Sequence, residues 1–209
     1  MAEKLEWRKR EKSLYIPKNK PEVVEVPAFK FLTLRSTGSP DTDNFTHVVA
    51  ALYSLSYGIK MQLKQLQEQP KHYCDYTVYP LEGVWDINDE AKKNFTGVIN
   101  KEDFVYQMMI RQPDFVSNDY FAEILAMVKK KKPNPFLDEV KFETITEGSC
   151  VQMMHLGKFE DEPQSFEQME AFATSEGLTR QSKIHREIYL SDPRKTVPEK
   201  LKTVLRFKV

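Results

Sequence analysis

Within the tract Lys183-Ile184-His185-Arg186-Glu187-Ile188-Tyr189-Leu190, an imidazole, a carboxylate and a phenol recur at every second position. In a strand that period puts His185, Glu187 and Tyr189 on one face, with Ile184, Ile188 and Leu190 mostly opposite. The carboxylate can meet a cation or accept a proton, and its two neighbours can donate hydrogen bonds to it or to a bound molecule. A sheet whose polar face simply meets water carries the same pattern. An inward Glu187 without a partner would pay heavily in desolvation, so it needs a satisfying neighbour, for which His185, Tyr189 and Arg206 are candidates.

Other residues could join such a site. Glu82 and Trp85 share one extended run, where a carboxylate and an indole offer an anion and a stacking wall suited to planar or cationic ligands. Tyr53 and Tyr57 lie four apart on a helical pattern and could floor a pocket, although such stripes are more often core. Tyr106, Met108 and Ile110 alternate with Val105, Gln107, Met109 and Arg111, so either face of that strand could line a cleft, and thioethers adapt to ligands as readily as to cores. His155, two residues before Gly157, could act as a base or as a satisfied structural histidine. Cys74 and Cys150 have no local base or helix start to activate them. Gly-rich phosphate loops, metal boxes and G-x-S-x-G elbows are missing, so no cofactor or metal is expected.

The elements that must position these residues recur in order. Ala28–Leu34 reads as a strand, broken by Gly38, Ser39 and Pro40. Apolar residues at Phe45, Val48, Val49, Leu52, Leu55, Ile59 and Leu63 predict a helix from Asn44 to about Leu66, capped by Thr42 or Asp43. His72–Trp85 and Phe104–Gln112 follow as strands, joined by a polar connection over 86–102. Ser117 caps a connecting helix over about 117–131, ended by Lys129 to Lys132 and by Pro133 and Pro135; the lysines suit a solvated helix C-terminus. The order then repeats: a strand over Cys150–Leu156, a helix through Phe166, Met169 and Phe172 closed by Gly177, and strands over Ile184–Leu190 and Thr203–Val209.

The 209 residues suffice for one substantial domain or two small halves. Lys plus Arg and Asp plus Glu are both 31, a formal net charge of zero that removes the electrostatic footprint of a nucleic-acid binder. Two cysteines without short Cys/His spacing indicate neither a disulfide framework nor zinc, and favour a reducing, cytoplasmic home. The N-terminus has no signal-peptide pattern, and no span approaches the roughly 20 apolar residues that cross a bilayer. Neither nucleic acid nor membrane is therefore expected as a partner.

Four segments carry a family likeness. They are Tyr79-Pro80-Leu81-Glu82-Gly83-Val84-Trp85; Met108-Met109-Ile110-Arg111-Gln112-Pro113-Asp114-Phe115; His155-Leu156-Gly157 followed by Asp161-Glu162-Pro163; and the His185 tract with Pro198-Glu199-Lys200-Leu201 and Leu205-Arg206. In this order they resemble GyrI-like small-molecule-binding domains, also found as effector-binding halves of AraC-type and BmrR-type regulators. The resemblance implies an α+β fold: tandem strand-helix-strand-strand repeats, over about 22–115 and 138–209, forming one antiparallel sheet with helices on one face and a ligand cleft between the halves, all within a single domain over 1–209. It sets the Glu82 and Trp85 run across that cleft from the Glu187 strand. Fewer than about thirty residues precede the first strand, too few for a helix-turn-helix, so a sensor half without a DNA-binding half is expected.

Three functions follow from the likeness. The first is binding of a hydrophobic, planar or cationic small molecule, lined by Glu187, Trp85, Tyr53, Tyr57, Tyr106, Met108, Tyr189 and His155. The second is hydrolysis of the cyclopropane of duocarmycin-type DNA alkylators, as in some stand-alone relatives, with Glu187 or Glu82 as base and Tyr189 or Tyr53 as hydrogen-bond donor. The third is an interaction like that of the family's namesake gyrase inhibitor, which the balanced charge does not support.

Overall fold

The computed structural model describes residues 4–209. In chain order the helices are α1 (Trp7–Arg10), α2 (Lys12–Tyr15), α3 (Asp43–Gln65), α4 (Asp89–Lys93), α5 (Asn118–Lys131) and α6 (Glu162–Ser175). The strands are β1 (Glu22–Val26), β2 (Phe29–Thr37), β3 (Leu81–Ile87), β4 (Phe104–Gln112), β5 (Lys141–Ile145), β6 (Gly148–Leu156), β7 (His185–Tyr189) and β8 (Lys202–Lys208). Chain contacts divide them between two compact units.

The first unit holds Phe29–Tyr79 and Asp86–Ile145 with the residues up to Glu6. Its central strand β2 pairs antiparallel with β4, from Lys30↔Gln112 to Thr37↔Val105, and with β5 on its other edge. Thr42 starts α3 by accepting a hydrogen bond from the Phe45 N–H, the cap expected of a Thr before an apolar-periodic run. The buried row Val48, Leu52, Leu55, Ile59 and Leu63 is the apolar stripe of α3. Its partners on the sheet are placed by the alternation of Leu32 and Leu34 with Met108 and Ile110, all essentially inaccessible. Gly58 lets α5 approach α3, since a side chain there would meet Ile124 and Val128 at 3.1 Å.

The second unit holds Trp7–Ala28, Pro80–Trp85 and Thr146–Val209. Its strands lie in the order β1-β6-β8-β7-β3, every pairing antiparallel. On one face α6 packs over Val151, Met153, Leu205 and Phe207, using Met169 and Ala173. On the other lie Gln152, Arg206, Arg186 and Glu82, beneath the short helix α2. Both strand-helix-strand-strand runs, β2-α3-β3-β4 and β6-α6-β7-β8, are present in an antiparallel α+β fold.

Several local expectations change. The run from His72 to Pro80 is not a strand: His72 sits at φ 64°, Pro80 withholds an N–H, and its ladder pairing is limited to an isolated bridge from Leu5 to Tyr76. The polar connection contains the short helix α4, capped by the Asn88 side chain. The short strands β1 and β5 lie outside the expected set. Because β1 and Pro80–Trp85 group with the later residues, the compact units do not follow the contiguous ranges 22–115 and 138–209.

Candidate ligand site

The second unit gathers a group of side chains on the sheet face that carries α6. In the β3–β7 ladder Trp85 lies opposite His185 and Gly83 opposite Glu187, so on that side the neighbour of the carboxylate has no side chain, while on the β8 side it is Leu205. Strand alternation then puts His185, Glu187 and Tyr189 on the same face as Trp85. The indole N–H of Trp85 donates to the Tyr189 hydroxyl at 2.7 Å, and that hydroxyl donates to Oε2 of Glu187 at 2.8 Å. Nε2 of His185 lies 3.1 Å from the other carboxylate oxygen. Phe166 meets the His185 ring edge-on at 4.7 Å, and Phe159 meets Tyr189 edge-on at 6.1 Å.

A second carboxyl enters from α6. Glu162 begins the helix beside Pro163, near the Glu187 carboxyl, and is only 7% exposed. Burial, and then the charge of Glu187, hold its carboxyl well above the usual carboxylate range. Its Oε1 is buried without a hydrogen-bond partner. Burial and the same Glu187 charge push the Tyr189 phenol up as well, which keeps it a donor. No lysine or arginine among the described residues pairs with either carboxyl.

His155 positions this second carboxyl. Its Nδ1 lies 2.9 Å from the Ser165 hydroxyl on α6 and its Nε2 lies 2.8 Å from the Lys158 carbonyl, so the imidazole ties β6 to the start of the helix. With an N–H on Nε2 and a lone pair on Nδ1, a neutral ring satisfies both contacts. Gly157, at φ 127°, makes the turn between them.

The opposite face is closed. Arg186 contacts Glu82 at 2.7 Å and Glu147 at 3.0 Å, and Arg206 reaches the other oxygen of Glu147 at 2.9 Å. Arg206 also donates to Gln152 and to the Leu14 carbonyl, and Tyr15 donates to Glu82 at 3.4 Å. Burial pushes the Glu82 carboxyl up while Arg186 and Arg206 pull it down, and the 2.7 Å contact marks an ion pair. Glu82 is therefore not brought to Glu187: three positions from Trp85, it has opposite strand parity and its charge is already matched. Arg206, a candidate neighbour of Glu187 on sequence grounds, belongs to this closed face too.

The remaining candidates belong to the first unit. Tyr106 and Met108 share the face of β4 that α3 covers: Phe45 of α3 meets the Tyr106 ring at 5.4 Å, and Ser56 of α3 accepts from Gln112 on the same face. Tyr53 and Tyr57 stack along α3 with centroids 6.2 Å apart, and Tyr57 is 53% exposed. Among the described residues, no group of three or more His, Cys, Asp or Glu could hold a metal ion, and no helix is long and apolar enough to cross a membrane.

The family model described as GyrI-like small molecule binding domain matches residues 19–209. The chain belongs to the GyrI-like family. Among solved structures, the GyrI-like chain is similar to an uncharacterized conserved protein from Listeria innocua, at 38% identity and TM-score 0.88 over 98% of both chains. A hydrolase from Listeria innocua matches at 37% identity and TM-score 0.86, again over 98% of both. The C-terminal domain of EcmrR, at 11% identity and TM-score 0.54 over 91% of this chain and 98% of that one, shares the fold. No curated protein matches.

Proposed function

We propose that this GyrI-like domain binds a hydrophobic, planar or cationic small molecule on the α6 face of its second unit. The carrying observation is that two buried carboxyls, Glu162 and Glu187, pair with no lysine or arginine among the described residues, and that one Glu162 oxygen lacks a donor, beside Trp85, Tyr189 and Phe159. Buried acidity without a counter-ion is costly to a fold, so a ligand that supplies a donor or a positive charge gains what the protein leaves unsatisfied. Aromatic faces add area and attraction for a flat cation. Trp85 is the reporter: in a Trp7→Phe background, titration with a planar cation should quench or shift its emission. An unchanged spectrum at saturation, with binding shown by calorimetry, would remove Trp85 from the site.

A hydrolytic reading is favoured by the similarity to a Listeria innocua protein described as a hydrolase. For a cyclopropane-bearing alkylator, water attacks a ring carbon, the ring C–C bond breaks, and its electron pair moves to the conjugated carbonyl oxygen, which takes a proton. Glu187 would accept the proton of the attacking water and Tyr189 would turn its single O–H from Glu187 to the carbonyl oxygen, while Glu82 is paired with Arg186 on the opposite face. A positioned base contributes about 10²–10⁴-fold, so Glu187→Gln should lower turnover by that order. Binding of the alkylator with no ring-opened product above the buffer rate would leave binding alone.

A further inference from the structure

The contact between His155 and Ser165 carries more chemistry than a tie between β6 and α6 needs. The Lys158 carbonyl, 2.8 Å from Nε2, can only accept a hydrogen bond, so in the neutral ring the N–H sits on Nε2 and Nδ1 keeps its lone pair. The Ser165 hydroxyl, 2.9 Å from Nδ1, must then donate to the imidazole. Its own lone pairs receive no hydrogen bond from another described residue. A hydroxyl that donates to an imidazole whose other nitrogen is held by an acceptor is the arrangement of a nucleophile, its base and an orienting group, here with a carbonyl in place of a carboxylate. Both side chains are shielded from water, His155 at 4% and Ser165 at 7% exposure, so solvent does not compete for the contact. Gln164, one residue before the hydroxyl, holds the third position of α6, where a backbone N–H has no partner inside the helix, and the Asp161 side chain does not cap it. That N–H and the positive end of the helix dipole suit an oxygen that gains negative charge.

We infer that Ser165 and His155 form a nucleophile and base that cleave short-chain acyl esters of phenols by way of an acyl-serine. Ser165 Oγ bonds to the ester carbonyl carbon while its proton passes to Nδ1 of His155. The carbonyl re-forms as the bond to the phenolic oxygen breaks, and that oxygen leaves with the electron pair of the bond and takes the proton from the imidazolium. Water then attacks the acyl-serine and gives a proton to Nδ1; the carboxylic acid leaves as Ser165 regains that proton. The shielding of the pair restricts the acyl group to a short chain, and a single orphan N–H for the oxyanion favours an acidic leaving group. The activity uses neither Glu187 nor Tyr189, so it goes beyond the binding function proposed above and stands or falls apart from it.

Rapid acid quench of the whole chain with p-nitrophenyl acetate, followed by peptide mass spectrometry, tests it. The expected result is release of p-nitrophenolate together with an acetyl group on Ser165. Ser165→Ala should lose that label, whereas Ser165→Cys, which offers a thiol to the same imidazole, should be acetylated at the same position. A positioned base contributes about 10²–10⁴-fold, so His155→Gln should slow acetylation of Ser165 by that order. Acetyl groups found only on lysines, on the N-terminus or on His155, or no label at all, overturn the inference and leave the contact as a structural tie. Equal labelling of Ser165 in the urea-unfolded chain overturns it as well, since the reactivity would then owe nothing to the fold. The position of the label on the unaltered protein decides the matter even if a variant does not fold.

Discussion

The two faces of the second unit's sheet each hold two buried or nearly buried carboxyls, yet they solve the problem of burying them in opposite ways. Under α2, Glu82 and Glu147 meet Arg186 and Arg206, and Gln152 and the Leu14 carbonyl take the remaining donors. Under α6, Glu187 meets a phenol and an imidazole, Glu162 is buried with no cation, and one of its oxygens goes unmatched. Structural networks close their charges because an unpaired buried group costs the fold; a site that must accept something leaves the account open. On the binding function proposed above, the closed face serves stability and the open face serves the ligand.

The largest effect should come from opening the closed face. Arg186→Met strands Glu82 and half of Glu147 without their cation, and removing one partner of a buried pair costs about 3–5 kcal/mol. Chemical denaturation should show that loss. A change below 1 kcal/mol would mean the network is solvated and the contrast between the faces false.

The open face should respond in affinity. Glu187→Gln keeps the volume and removes the anion, so a planar cation should lose about 1.5–3 kcal/mol of binding while a neutral planar ligand loses much less. Equal losses would assign Glu187 to packing.

Protons sharpen the contrast further. The Glu162 carboxyl is raised in the folded protein above its ordinary value of 4.5, so the folded chain binds more protons than the unfolded chain above that pH. Stability should then fall as pH rises from the ordinary value through the folded one, with a slope approaching about 1.4 kcal/mol per pH unit from this group. Glu162→Gln should flatten that slope in urea titrations run upward from pH 4.5. A slope that survives the substitution would place the titrating group elsewhere.

Tyr189→Phe removes one donor to Glu187 and the acceptor of the Trp85 N–H. The lost Trp85 N–H bond is neutral and contributes about 0.5–1.5 kcal/mol, and Trp85 emission should shift with it. An unaltered spectrum would argue against the Trp85–Tyr189 bond.

Much of the open face is legible in the sequence because strand parity is rigid. The period of two that sets His185, Glu187 and Tyr189 together survives folding, and the β3–β7 register adds Trp85. The same parity separates Glu82 from Trp85, so their closeness in sequence is misleading. Glu162 is harder to see: a glutamate in the first turn of a helix is ordinary, since it suits the helix dipole, and nothing local says that α6 aims it at another carboxyl. Only the Asp161-Glu162-Pro163 segment, placed within the family likeness, pointed to that turn. The irregular run before Pro80 has the β-rich composition of a strand, but its pairing depends on distant partners that composition does not reveal.

A crystal structure of the complex with 9-aminoacridine tests the division between the faces most directly. The account predicts the acridine ring against Trp85, an N–H within hydrogen-bonding distance of Glu162 Oε1 or Glu187, and the Glu82–Arg186 pair unmoved on the opposite face. Density for the ligand elsewhere, with the Glu162–Glu187 pair untouched, would contradict it.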